Sequence, residues 1–204
     1  MTLRAFEPVT ALGEVVQRSA SLKQAAHLEG GAIDVGAECG WLARQLKTSG
    51  RRLIGLLPAT KHADVIGLAT SVGAALTLIV HGIVLIADPD QRSVTSELPK
   101  GTRVACAMSS SRLAMLTPTE RPRDGARLQA MKELVEFIGP ETEAVTLVLI
   151  DLSSFTLPGE LLGVIGLVDA IVIVGHAGRV TEAELLRASR RVPAEMNLGV
   201  VLTE

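Results

Sequence analysis

Tyrosine is absent from the 204 residues, tryptophan occurs once (Trp41) and phenylalanine three times. So little aromatic surface excludes a stacking platform for bases or sugar rings, and a sandwich of Tyr/Trp-rich strands. It also excludes any activity in which the chain modifies its own tyrosine. Cysteine is nearly missing too: Cys39 and Cys106 fit no CxxC or metal-ligand spacing. They read as reduced, small core residues of a cytoplasmic chain. His27, His62, His81 and His176 have no partner at i+3 or i+4, which points to structural or surface roles and not to a metal.

Charge of one sign is scarce as well. The net charge is −2, and no basic run is interleaved with aromatics, so nucleic acid is not an expected partner. The densest basic stretch is Arg44–Arg52, with four basic residues in nine. A helix C-terminus and its connecting turn explain it more simply than a phosphate or lipid patch. Met1–Pro8 carries Arg4 and Glu7 and no apolar run, which predicts no secretory leader. Val65–Ala87 has 23 residues without a formal charge, long enough to span a bilayer. However, His81-Gly82 divides it, Asp88 and Asp90 follow at once, and its first part is rich in Gly, Ala, Ser and Thr. The pattern predicts a buried helix, a turn and a buried parallel strand.

What the chain has in plenty is aliphatic residues in short runs. Hydrophobic residues make up 48% of it, enough for a core without disulfides or metals. Leu53–Leu57, Ile83–Ala87, Arg103–Ala107, Val145–Ile150, Ala170–Val174 and Leu198–Leu202 read as strands, most of them bounded by Gly, Pro or Asp. Between several of them lie helical patterns. Ala126–Ile138 places Leu128, Met131, Leu134, Val135 and Ile138 on one face and is stopped by Gly139-Pro140. Thr181-x-x-Glu184 is a capping box that opens another helix. Alternating strands and helices with buried strands predict an α/β fold, a mostly parallel sheet covered by helices on both faces. Residues 1–31 read as a separate N-terminal helical arm, with a helix at about Ala11–Leu28 that ends at Gly30-Gly31. Residues 32–204 then form the α/β domain, opening with a helix at about Asp34–Lys47.

Acidic residues stand at strand ends. Ile83–Ala87 runs into Asp88-Pro89-Asp90, and Val145–Ile150 runs into Asp151. In an open parallel sheet, ligands bind beyond the carboxyl ends of the strands. Carboxylates there suit Mg²⁺ held through water and phosphoryl transfer. The competing reading is that each Asp is a turn former or helix cap. Ser109-Ser110-Ser111 lacks a nucleophile-elbow context and reads as a loop or helix cap. Cys106, in an apolar strand, reads as an inert thiol.

The order of these pieces resembles the cytoplasmic domain of bacterial protein tyrosine kinases of the capsule and exopolysaccharide type, relatives of the ParA/MinD P-loop ATPases. The resemblance covers about residues 32–203. In that family an E-x-x-R-x-x-R helix precedes the first strand; here Glu38 and Arg44 hold its ends, and Trp41 stands in the middle arginine position. A D-x-D-x-R-like motif follows the second strand, matched by Asp88-Pro89-Asp90-Gln91-Arg92. The Walker B strand ends in Asp151. Asp169–Val174, then Ala177-Gly178-x-x-Thr181-x-x-Glu184-Leu185, then Leu198–Leu202 complete the series. The resemblance implies a P-loop NTPase-like fold.

Two departures are as informative. Where the family has a Walker A loop ending in G-K-[ST], this chain reads Pro58-Ala59-Thr60-Lys61-His62-Ala63-Asp64-Val65-Ile66. No glycine is there to let backbone N–H groups wrap phosphates, and no Lys precedes a Ser or Thr. Lys61 is a displaced phosphate contact at best and more simply a surface lysine. The family's tyrosine cluster is missing altogether. The resulting expectation is a non-catalytic pseudokinase or pseudo-ATPase without a nucleotide cofactor, acting as a regulatory or assembly protein in bacterial exopolysaccharide biosynthesis and export. It would be cytoplasmic, and would reach the inner membrane through a polysaccharide co-polymerase or export partner. Glu38, Trp41 and Arg44 would contribute to a homo-oligomer interface. The rival expectation is a weak ParA/MinD-type ATPase that uses ATP or ADP with Mg²⁺ at Asp88, Asp90 and Asp151. A third is a dimeric scaffold that binds another small ligand at the same strand ends.

Overall fold

The computed structural model describes residues 35–90, 104–123, 125–139 and 144–203. The elements in chain order are α1 (Val35–Thr48), β1 (Leu53–Pro58), α2 (Val65–Ile79), β2 (Ile83–Ala87), β3 (Val104–Met108), β4 (Leu113–Pro118), α3 (Arg127–Ile138), β5 (Val145–Asp151), α4 (Pro158–Ile165), β6 (Ala170–His176), α5 (Glu182–Ser189) and β7 (Asn197–Thr203). The expected arm, residues 1–31, lies outside the described residues, as does Arg92.

The strands form one sheet in the order β3-β4-β2-β5-β1-β6-β7. All neighbours are parallel except β3 and β4, which make an antiparallel hairpin at one edge. The α/β architecture with a mostly parallel sheet is as the sequence implies. The hairpin is a correction. The strand expected at Arg103–Ala107 is β3, an antiparallel edge strand, and its partner β4 has no counterpart among the expected strands. Leu113–Pro118 (LAMLTP) contains one β-branched residue and ends in Pro, so it lacks the usual strand signature. Ser109–Arg112 is the hairpin loop. The Ser109 and Ser110 amides donate to the Leu113 carbonyl at 2.8 and 3.1 Å, and Ser110 Oγ accepts from the Leu113 amide at 3.2 Å.

Side-chain alternation along the strands separates two cores. On one face Ile54, Leu56, Val84, Ile86, Leu147, Leu149, Val172 and Val174 pack under α1 and α2. On the other, Leu85, Val148, Ile150 and Ile171 pack under α3 and α4, and Ile173 packs under α5. Helices therefore cover both faces. The charge-free run Val65–Ala87 divides as its sequence suggests, into α2, a turn at Val80–Gly82 and β2. Among the described residues no helix is long and apolar enough to cross a membrane. A Cβ on Gly82 would lie 2.5 Å from the Ala144 carbonyl oxygen, so only glycine lets β2 enter the sheet against β5 here.

The cysteines differ from expectation in one respect. Cys39 is buried, 3% exposed, but Cys106 is exposed on β3, the edge strand of the sheet among the described residues. Desolvation raises the pKa of both thiols, with the Glu38 carboxylate adding to the effect at Cys39.

Candidate functional site

Asp88 and Asp151 meet because β2 and β5 are adjacent and in register. Ala87 pairs with Ile150, so Asp88 and Asp151 stand side by side at the carboxyl ends of neighbouring strands. Leu56 of β1 is level with Asp151, which places the β1–α2 loop on the other side of the pair. Asp88, Asp90 and Asp151 are 0, 6 and 3% exposed. Carboxylates this deeply buried must be hydrogen-bonded or paired. Asp88 accepts from the Asp90 amide at 3.0 Å, and Asp151 accepts from the Ser153 amide at 2.7 Å. Both side chains thus close Asx turns at strand ends. Asp90 is paired with Arg121 at 3.5 Å and Arg127 at 3.8 Å.

The sheet register sets Asp88 beside Asp151, and Asp90 is tied to Asp88 through its own amide. The structure adds Arg121 and Arg127, which sequence reasoning missed. The available signal was indirect: buried carboxylates need counter-charges, and these arginines follow β4, the strand that was not foreseen. Among the described residues no group of three or more His, Cys, Asp or Glu side chains is placed to hold a metal ion.

The β1–α2 loop decides what this site can hold. Asp64 is the N-cap of α2 and accepts from the Gly67 amide at 3.0 Å. A Cβ on Gly67 would lie 2.2 Å from Asp64 Oδ2, so the glycine makes room for the carboxylate over the first turn of the helix. The negative charge therefore stands where the helix N-terminus presents its free N–H groups and positive dipole end. Lys61 is exposed on the same loop. Val65, the first residue of α2, is 2% exposed and belongs to the core.

Asp169 has a structural task. It accepts from the amides of Arg52 and Leu53 at 3.0 and 2.8 Å and so fixes the entry of β1 beside β6. Thr181 and Glu184 form the expected capping box of α5. Glu38, Trp41 and Arg44 lie on α1, apart from the carboxylates. Glu38 and Trp41 are half-buried and Arg44 is exposed, while Cys39, Leu42, Ala43 and Leu46 form the core face of that helix. At i, i+3 and i+6 they occupy one flank of α1.

No protein-family model and no curated protein matches the chain. Solved structures do. The BceF tyrosine kinase domain matches with a TM-score of 0.66 and 15% identity, over 98% of each chain. The kinase domain of Escherichia coli tyrosine kinase ETK matches with a TM-score of 0.65 and 16% identity, over 87% of this chain and 78% of that one. The chimerical protein CapA2B2 matches with a TM-score of 0.62 and 16% identity, over 87% of each. The fold is that of bacterial tyrosine kinase domains. It coincides with the fold implied by the motif order in the sequence.

A tyrosine kinase fold implies a nucleotide with magnesium beside the start of α2. The residues present here do not fit one. The loop Ala59–Asp64 has no glycine. The anion seat at the helix N-terminus is taken by the chain's own carboxylate, and a triphosphate brought there would meet a like charge.

Proposed function

We propose that the chain is a non-catalytic relative of these kinases that serves as a regulatory or assembly protein in bacterial exopolysaccharide biosynthesis and export. The observation that carries this reading is Asp64 capping α2 through Gly67, which puts a fixed carboxylate in place of a bound phosphate. The motif order from Glu38 to Leu202 supports the pathway, through the family it resembles. Asp88 and Asp151 then act as turn formers that hold the strand ends, and Asp90 anchors Arg121 and Arg127. Self-association runs through the flank of α1 that carries Glu38, Trp41 and Arg44. Trp41 supplies apolar contact where an arginine would make ion pairs, so the contact differs in kind from that of the kinases. The protein stays in the cytoplasm and meets the inner membrane through a co-polymerase or export protein.

Titration calorimetry of the whole protein with Mg-ATP and Mg-ADP tests the non-catalytic reading. The expected result is no heat of binding at micromolar nucleotide. Micromolar binding that Asp88→Ala and Asp151→Ala each abolish would overturn it in favour of a weak ATPase. The assembly role is checked separately by sedimentation, where Trp41→Arg is expected to change the oligomer distribution.

A further inference from the structure

α3, α4 and α5 cover one face of the sheet. α4 is the middle one, since the chain passes from β4 through α3 to β5, through α4 to β6 and through α5 to β7. Its surface is poor in charge. The one charged residue of α4 is Glu160, which is half-buried. Leu161, Val164 and Ile165 form its buried side. Leu157, at its N-cap, is 60% exposed, and Leu162 is 67% exposed. Gly163 faces α3, because a Cβ there would lie 2.7 Å from Leu128 Cδ2. Leu162 is about 100° round the helix from both Gly163 and the buried Leu161, which turns it to the flank away from α3. That flank looks toward α5.

α5 presents the opposite chemistry. Its acids, Glu182 and Glu184, lie in the first turn, and Glu184 is held in the capping box. From Arg187 to Arg191 the chain has three arginines and no carboxylate. Leu185, Ala188 and Ser189 are the buried side of the helix. On its outer side Ala183, Leu186, Arg187, Arg190 and Arg191 line a groove of about 460 Å³. Arg191 joins the two surfaces. It lines the groove, and its Nη2 donates at 3.2 Å to the carbonyl of Thr156, the residue before Leu157.

We propose that this face docks directly on a phospholipid bilayer with anionic headgroups. Leucines turned to solvent beside a cluster of arginines suit a membrane interface, where apolar side chains enter the acyl boundary and cations meet the headgroups. Leu157 and Leu162 are the apolar anchors. The groove is of a size to take a headgroup, with guanidinium groups to bind its phosphate. A bilayer accepts single protruding leucines without a matching pocket. A protein partner would need a packed interface core within about 800 Å² from each side, which two leucines and three arginines do not supply. The contact is with lipid itself. It therefore goes beyond the partner-mediated link proposed above, and it does not depend on nucleotide binding.

Cosedimentation of the full chain with vesicles tests it. At low salt the protein is expected to pellet with vesicles of phosphatidylglycerol and phosphatidylcholine in equal parts, and to stay in solution with phosphatidylcholine alone. Binding should weaken steadily as salt is raised. Arg187→Glu with Arg190→Glu, and separately Leu157→Ser with Leu162→Ser, should each lower the partition coefficient by about tenfold or more. All four side chains are exposed, so the fold should persist in both double variants. Leu78→Ser, at a residue 80% exposed on the opposite face of the sheet, should change nothing. No pelleting at low salt would overturn the proposal, and so would binding that both double variants leave unchanged. Binding lost in the arginine variant but kept in the leucine variant, with equally tight binding to poly-glutamate, would make an acidic protein the partner and overturn it as well.

Discussion

The carboxylate of Asp64 and the missing side chain of Gly67 act as one unit, and their coupling is measurable. Gly67→Ala gains up to about 1 kcal/mol of helix propensity. It also sets a Cβ 2.2 Å from Asp64 Oδ2, which displaces a cap whose loss costs about 1 kcal/mol. The two effects are expected to cancel nearly in the otherwise unaltered chain. In an Asp64→Ala background only the gain remains. Urea unfolding of the four proteins of this double-mutant cycle should therefore give a coupling of about 1 kcal/mol. Additive changes would show that Asp64 does not sit over the helix in solution.

Asp90 poses the converse question, because its partners are exposed to different degrees. The side chain of Arg121 is 71% exposed and that of Arg127 is 23% exposed. A pair with an exposed arginine contributes about 0–1 kcal/mol, so Arg121→Ala should scarcely move the urea midpoint. Removing the carboxylate leaves Arg127 partly buried beside a neutral group, and Asp90→Asn should cost about 1–3 kcal/mol. Equal effects of the two substitutions would mean that Asp90 is held by its turn and not by its charges.

Among the elements, α5 has the most complete local code. Thr181 Oγ1 accepts from the Glu184 amide at 3.3 Å, and Glu184 Oε2 accepts from the Thr181 amide at 2.8 Å. These bonds favour the charged carboxylate, and the Thr181 amide is the main cause holding the Glu184 pKa below the usual glutamate value. A folded-state pKa that is lowered stabilises the fold above the unfolded glutamate pKa, about 4.3, and that stabilisation is lost as pH falls through the lower folded value. Thermal unfolding followed below about pH 4.5 should show a shallower acid loss in Glu184→Gln than in the unaltered chain, with little difference in slope near neutrality. This element was legible because both members of the box lie within four residues of chain. The β3–β4 hairpin was not, because nothing local marks Leu113–Pro118 as a strand. Its place depends on pairing with β2 on one side and β3 on the other.

At the scale of the whole molecule, the same division holds. Strands buried on both faces by helices must be nearly continuous aliphatic runs, so β1, β2, β5, β6 and β7 could be read from composition alone. Asp88 and Asp151 were legible for the same reason, being polar residues where such runs stop. Arg121 and Arg127 were not, since their role depends on the sheet order that brings β4 and α3 to the end of β2. The exposure of Cys106 depends on that order too.

A core built almost wholly from Ala, Val, Leu and Ile also concentrates risk in its largest members. Phe155 is 1% exposed and is placed by its amide donating to the Leu152 carbonyl at 3.1 Å, just after Asp151. It belongs to the core cluster that joins α3 and α4 to the sheet. Phe155→Ala removes a large ring from a close-packed aliphatic surround and should cost about 3–5 kcal/mol. That is a large share of the about 5–15 kcal/mol by which domains are usually stable. For a chain of this length it corresponds to a fall in Tm of about 6–20 °C. Phe155→Leu keeps most of the volume and should cost well under half as much. A small loss in Phe155→Ala would show that the segment after Asp151 collapses readily into the space, and that the strand-end site does not depend on this anchor for its shape.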